Sequence, residues 1–345
     1  MRVSGAFPDR LATARLILRR LDEPDRALWV RLHRDPVLYR HAPHAIAPSD
    51  AAASERFDGS LAHWQDHGFG FQVIERDGVG IGVGGLRTGR EGELNLYYRI
   101  SADHHGMGYA REAARAWVAA GVEWLEDPVT AVAAAHNTAS LRTAEAAGLT
   151  RIGRRQLAGD PVELGPAVLL RAPAVEVVRE SGFVATARAE VLDLWVGVTE
   201  DGGAVGFVPG DPRSVHEEAL AAHESQMRAG AAVAVLQRCP ATGALLSIGW
   251  LVGEESPRHA HRATAYRIMS DPAHRGRNLG RLQVAAMHRV ARADGVEMVL
   301  LTVRGGLGLE EFYAGCGYAE VGRIPGGIRV APGDDRDDVL MMRRL

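Results

Sequence analysis

The chain has 345 residues, 46% of them apolar and 24% charged, enough to bury sizeable cores and long enough to favour two domains over one. A net charge of −3 excludes the broad basic footprint of a nucleic-acid binder or an anionic-membrane binder. All 40 basic residues are Arg, and the two cysteines, Cys239 and Cys316, are too few for a disulfide framework or a Cys-based zinc site, as expected in a reducing cytoplasm. Residues 1 to 30 show no apolar core followed by a small-residue cleavage site, and no apolar run of 18 residues occurs. A soluble, cytoplasmic protein is expected.

In chain order, ELNLYYRI (93–100) reads as a strand and leads into a Gly-rich turn at 104–110. REAARAWVAAGVEWL then has apolar positions at helical spacing and stops before Pro128. A strand-like VTAVAAA (129–135) follows, then a helix-like TASLRTAEAA closed by Gly148, a good C-terminal cap. The second half repeats the order: strand ATAYRIM (263–269), turn at 274–280, helix LQVAAMHRVARADG, strand VEMVLLTV (296–303), and LEEFYAGC before Gly317. Gly108 to Gly148 spans 40 residues and Asn278 to Gly317 spans 39; GLTRIGR (148–154) answers GYAEVGR (317–323). Such a repeat implies two copies of one unit. The boundary falls in 155–180, where periodicity is lost among Pro and Gly, giving domains 1–172 and 173–345. That stretch has room for one more strand of the first domain.

A strand, a Gly-rich turn and a helix start suit a phosphate, because backbone N–H groups at a helix N-terminus bind anions and glycine permits close approach. Neither turn is a P-loop, which needs Lys, nor a G-x-G-x-x-G dinucleotide fingerprint. His105-Gly106-Met107-Gly108-Tyr109-Ala110 and Arg275-Gly276-Arg277-Asn278-Leu279-Gly280 instead resemble the pyrophosphate loop of the GCN5-related N-acetyltransferases (GNAT), Gln/Arg-x-x-Gly-x-Gly/Ala. The first half, with TARLILRRL, HWQDHGFGFQVIER and HNTASLRTAEAAGL, is similar to the branch that acetylates ribosomal-protein N-termini and some aminoglycosides. The second half, with GGAVGF, HRATAYRI and FYAGCGYAEVGRIPG, is similar to the branch acting on tabtoxin-type small amines.

The resemblance implies an α/β (α+β) fold of two tandem domains, each a mixed, mostly antiparallel sheet flanked by helices, with acetyl-CoA as co-substrate in a splay between two central strands. It places His105, Gly106, Met107, Gly108, Tyr109, Ala110 and Asn137 at CoA in the first domain, and Arg275, Gly276, Arg277, Asn278 and Gly280 in the second. Ser140 is the candidate proton donor to the CoA sulfur, since the tyrosine many relatives use falls at Ala144; the alternative for Ser140 is a polar residue at a helix start. Glu93 is a candidate proton relay, or else an exposed carboxylate at a strand end, and Asn95 stands where many relatives carry Glu. In the second domain Tyr313 occupies the general-acid position, with a core aromatic as the alternative. There Thr264 replaces an acid in the stretch beginning at His261, and Asn278 replaces a loop glycine, although Asn tolerates left-handed backbone.

His63 and His67 have metal-ligand spacing without a third ligand, so no metal is expected. Cys316 reads as a buried thiol, and GDDRDD (333–338) as a solvated turn before the last strand or an attractor of cationic amines. The expected activity is acetyl transfer to a primary amine of a small molecule, such as an antibiotic or aminosugar. A peptide or protein N-terminal acetyltransferase and a non-catalytic acyl-CoA-binding module are the alternatives. No nucleic-acid or membrane partner is expected, and a homodimer is allowed.

Overall fold

The computed structural model describes residues 6–89, 92–156, 161, 165–180 and 182–345. The chain divides into two compact units, Met1–Ala172 and Pro173–Leu345.

The first unit contains β1 (Arg10–Ala12), β2 (Ile17–Arg20), α1 (Arg26–Arg34), α2 (Asp50–His67), β3 (Phe71–Arg76), β4 (Val79–Thr88), β5 (Leu94–Ile100), α3 (Tyr109–Trp124), β6 (Val129–Ala133), α4 (Thr138–Ala146), β7 (Thr150–Arg155) and β8 (Ala167–Arg171). The sheet order is β1-β2-β3-β4-β5-β6-β8-β7, antiparallel throughout except for β5 and β6. That parallel pairing is confined to Leu94↔Val129 and Asn95↔Thr130, although β5 runs on to Ile100. The two strands therefore splay apart toward the turn that opens α3.

Both faces of this sheet are covered. Leu28, Trp29 and Leu32 of α1 and Phe57 of α2 pack with Phe71, Val73 and Val83 on one side. Trp117 of α3 presses the other side so closely that a Cβ on Gly84 would stand 2.5 Å from its ring and 2.6 Å from the Tyr97 carbonyl. Only glycine allows β5 and α3 to approach there. Ser49 caps α2 by accepting from the Ala52 N–H, and Gly68 ends the helix with φ +72°. Strand β8 belongs to the first unit, pairing with β6 and β7, while 157–160 and 162–164 of the expected linker lie outside the described residues.

The second unit contains β9 (Ala174–Val178), α5 (Ala185–Glu200), α6 (Arg213–Arg228), β10 (Ala232–Arg238), β11 (Leu245–Gly253), β12 (Arg262–Ser270), α7 (Leu279–Ala293), β13 (Met298–Arg304), α8 (Leu309–Ala314), β14 (Ala319–Ala331) and β15 (Asp334–Arg344). Its order is β14-β15-β13-β12-β11-β10-β9, and again one central pair, β12 and β13, is parallel, over Arg262↔Met298 to Thr264↔Leu300. Trp195, Leu220, Trp250 and Met269 anchor its core. One difference matters. The β4/β5 register is continuous, whereas β11/β12 shifts between Ile248 and Trp250, leaving Arg267 in left-handed backbone at φ +50°.

The acidic run corrects its expectation in position: Asp334 to Asp338 lie within β15, not before it. Asp334, Asp335 and Asp337 are ion-paired to Arg336, Arg329 and Arg323, so little of that charge is available to attract a cation.

Candidate active site

The turn after β5 is shaped by two left-handed glycines, Gly106 at φ +77° and Gly108 at φ +80°. The backbone N–H groups of Gly106 through Ala110 have no hydrogen-bond acceptor among the described residues. Five successive free amides at the positive end of α3 make an anion cradle, which fits the diphosphate of acetyl-CoA. The loop is braced from beneath. His105 donates through Nε2 to the Ile100 carbonyl at 2.9 Å, and Arg15 donates to the Met107 carbonyl at 3.0 Å. Arg15 also pairs with Glu112 at 2.7 Å. Burial pushes Glu112 up, but hydrogen bonds from Thr13 and Arg15 outweigh it and hold the carboxyl below its usual range. The buried Tyr109 ring lies under the Arg15 and Arg76 guanidiniums, at 4.7 and 5.2 Å, and its hydroxyl accepts from Arg76.

Inside the splay, Asn137 is the N-cap of α4 and accepts from the Ser140 N–H at 3.2 Å. Ser140 Oγ in turn accepts from the Tyr98 hydroxyl at 3.4 Å. Burial raises the Tyr98 phenol, partly offset by contacts with Ser140 and Thr143, so it stays protonated at neutral pH. Tyr98 was not among the sequence candidates, yet it brings a phenol from β5 into the neighbourhood that Ala144, buried on α4, leaves without one. Glu93 is not brought to this group. It lies buried before the first residue of β5, ion-paired to Arg155 at 3.1 Å, about 20 Å from the loop by strand rise.

On the opposite face of β5 lies a pocket of about 570 Å3, walled by Trp29, Phe71 and Tyr97. A directed chain of hydrogen bonds crosses it. Arg99 Nε donates to the Tyr97 hydroxyl at 2.8 Å, Tyr97 donates to His33 Nε2 at 3.0 Å, and His33 Nδ1 donates to the Trp29 carbonyl at 2.8 Å. Burial pulls His33 down to about 4, with help from the Arg99 and Arg56 charges, so it is a neutral imidazole of fixed tautomer.

The second unit repeats the loop with a different residue. Asn278 adopts φ +65°, ψ 3°, close to the φ +80°, ψ 3° of Gly108, so the turn keeps its shape without the glycine. Here the N–H groups of Leu279 and Gly280 have no acceptor among the described residues, while that of Arg277 is taken by the His274 carbonyl at 3.3 Å. Arg275 is ion-paired to Asp201. A Cβ on Gly280 would stand 3.3 Å from the Phe312 ring, and Phe312 abuts the buried Tyr313 at 5.0 Å between centroids. The Tyr313 hydroxyl makes no hydrogen bond among the described residues, and burial raises its pKa. Thr264 pairs at the closed end of the β12/β13 splay, where it meets Leu300, and His261 precedes β12 and uses its carbonyl to accept from Glu297 and Met298. At the bulge, Arg267 donates to His223 Nε2 at 2.7 Å and stacks 4.5 Å over Trp195 and 5.7 Å over Phe207, with no acidic partner among the described residues. Burial lowers its pKa.

No group of three metal-binding side chains occurs among the described residues. His63 uses both ring nitrogens, Nδ1 donating to the Phe69 carbonyl at 2.9 Å and Nε2 accepting from the Thr88 N–H at 3.2 Å. Cys316 is buried, and no described helix is long and apolar enough to cross a membrane.

With this geometry in view, residues 15–150 match the family model described as the acetyltransferase (GNAT) domain. These residues lie within the first unit, whose matched stretch is thus that of a GNAT acetyltransferase domain, the class of N-acetyltransferases. The fold of the chain is mixed α/β, two mostly antiparallel sheets flanked by helices. Similar solved structures include a putative acetyltransferase of this family from Bordetella pertussis, at 22% identity over 48% of this chain and 99% of that one, with a TM-score of 0.41. An acetyltransferase from Agrobacterium tumefaciens is 26% identical over 48% of this chain and 94% of its own, with a TM-score of 0.40. A putative acetyltransferase from Salmonella typhimurium, solved with its cofactor acetyl-CoA, is 14% identical over 50% and 94%, with a TM-score of 0.41. No curated protein matches the chain.

Proposed function

We propose that the first unit transfers the acetyl group of acetyl-CoA to a primary amine of a small molecule, with antibiotics and aminosugars as the classes in view, and that the second unit is a tandem copy with a weaker CoA cradle. The observation that carries this reading is the placement of β5. It runs directly into the row of free amides, turns Tyr98 toward Ser140 on one side, and turns Tyr97 toward the pocket on the other. The five amides and Arg15 would hold the diphosphate. Acetyl-CoA supplies an acyl group already activated as a thioester. A pocket of about 570 Å3 is of the size of a small-ligand site, in keeping with a small amine.

The chemistry divides into two proton problems. An alkyl amine with a pKa near 10.4 is only about one part in 10³ neutral at pH 7, so it must lose a proton before its nitrogen attacks the acetyl carbon. The Tyr97 hydroxyl and neutral His33 Nε2 form a ready path for that proton, though His33 is a weak base. As the new C–N bond forms and the C–S bond breaks, the departing thiolate takes a proton from Ser140, and Ser140 recovers one from Tyr98. The leaving thiol has a pKa of about 8.5, so this donor contributes the smaller share, about 10²-fold. In the second unit Tyr313 would serve as the acid. A cytoplasmic setting accords with two cysteines that form no disulfide.

The test is release of CoA thiol from acetyl-CoA with a panel of primary amines, on wild type and on Tyr98→Phe and Ser140→Ala, each expected to lower kcat about 10²-fold. Tight acetyl-CoA binding without thiol release for any amine would leave the non-catalytic CoA-binding module as the surviving reading.

A further inference from the structure

The acceptor pocket is lined by three guanidiniums from three separate segments: Arg56 on α2, Arg87 on β4 and Arg99 on β5. None has an acidic partner among the described residues. Among the described residues Arg56 donates only to the Ala45 carbonyl, at 3.0 Å, and Arg87 makes no hydrogen bond or ion pair. Arg99 is the most constrained. Its Nη1 donates to the Leu38 carbonyl at 2.6 Å, its Cζ lies 3.7 Å from the Tyr39 ring centroid, and Nη2 has no acceptor among the described residues. The one acid on the wall, Glu55, is exposed and bonds to none of them. Of the other half-buried arginines in the unit, Arg19, Arg26 and Arg155 are each matched by a carboxylate, while Arg171 on β8 pairs with none among the described residues and lies outside the pocket lining. A half-buried guanidinium held rigid by stacking, and not matched by an acid, is prepared to bind one from outside.

We infer that the acceptor of the first unit is an amine that also carries a carboxylate, and that Arg99, with Arg87 and Arg56, holds that carboxylate in the pocket. This rests on the reading that the first unit is the site of acetyl transfer. The same charges serve the chemistry, because a pocket with this excess of positive charge disfavours an ammonium and favours the neutral amine that can attack. A purely cationic acceptor, such as a polyamine, meets repulsion and no partner. An amino acid or amino-acid-like molecule meets a fork for its acid end and aromatic walls for its body.

The experiment uses the full chain, saturated with CoA, and titrates the acetylated products by calorimetry: N-acetylglycine, N-acetyl-β-alanine and N-acetylglutamate, each against its primary amide. At least one acid should bind about tenfold or more tightly than its amide, and Arg99→Gln should bring the pair to within about twofold. Because Arg99 also braces the Leu38 carbonyl, Arg87→Gln is the second variant: exposed and making no hydrogen bond or ion pair among the described residues, it should narrow the same ratio without loss of folding. Equal binding of acid and amide, or no binding by any of the three acids, overturns the inference. CoA release by the three parent amino acids is measured alongside. If the acids bind selectively but no amine releases CoA, the anion site stands and the transfer reading falls. If amines release CoA and acids gain nothing over amides, the transfer reading stands and this inference falls.

Discussion

Substituting Gly108 by Trp separates backbone strain from ligand contact. At φ +80° any residue with a Cβ is strained by about 1–2 kcal/mol, and the new side chain would emerge beside Arg15, whose Nη2 lies 3.4 Å from the Cβ position. For a unit of the size of Met1–Ala172, 1 kcal/mol corresponds to about 2–4 °C, so the ligand-free melting point should fall by about 2–8 °C. Acetyl-CoA at 100 times its Kd should stabilise the wild-type unit by about 2.7 kcal/mol, an upward shift of about 5–11 °C. The indole would cover the amides of Gly106 to Ala110, so the variant should lose that shift while still melting cooperatively. Scanning calorimetry with and without acetyl-CoA reads both quantities in one series. Gly280→Trp, which must displace Phe312, removes whatever part of the shift the second unit contributes. A Gly108→Trp protein that melts cooperatively and gains as much from acetyl-CoA as wild type does refutes the cradle as the CoA site.

Three further outcomes are expected. Asn278→Gly, made in the Gly108→Trp background, should raise acetyl-CoA affinity about tenfold in calorimetry, since it removes a side chain from the loop and leaves a turn already in glycine-like backbone; unchanged affinity rules out the side chain as the obstacle. Tyr313→Phe should move the melting point by less than about 2 °C, because its hydroxyl makes no hydrogen bond among the described residues, while lowering any transfer by the second unit about 10²-fold; unchanged kcat in the Gly108→Trp background removes Tyr313 as its acid. Burial lowers His33, His63 and His223 from 6.5 to about 4. Between those pH values the unfolded chain binds protons that the folded chain refuses, so the stability is complete above pH 6.5 and falls as pH drops toward 4, by up to about 1.4 kcal/mol per pH unit for each His. Urea melts at pH 7 and pH 5 should differ, and His63→Gln should reduce the difference; an unchanged difference counts against that assignment.

The repeat was legible because two stretches of about 40 residues share element order and Gly punctuation, and the strand, turn and helix around each loop form where periodicity puts them. Helix α3 starts at Tyr109, earlier than its apolar pattern suggests, because Gly108 turns the chain before the amphipathic stretch begins. The surroundings of the candidate site were less legible. Tyr97 and Tyr98 are adjacent in sequence, but the pleat sends one to His33 and the other to Ser140, and only knowing both faces of β5 separates their roles. Nothing local marks Arg56, Arg87 and Arg99 as one group, since the sheet brings them together from segments up to 43 residues apart. Glu93 has the right chemistry for a relay but stands at the closed end of the strand pair, a fact that depends on where β5 and β6 cease to pair.

Arg267 holds a left-handed conformation that costs about 1–2 kcal/mol for a residue with a side chain, in order to lay its guanidinium across Trp195 and Phe207. Glycine at that position would relax the bend and leave the two rings facing an empty slot. The strain so relieved is matched by the stacking and the His223 hydrogen bond that would go with the guanidinium, so the bend is held in place by the very cation it presents.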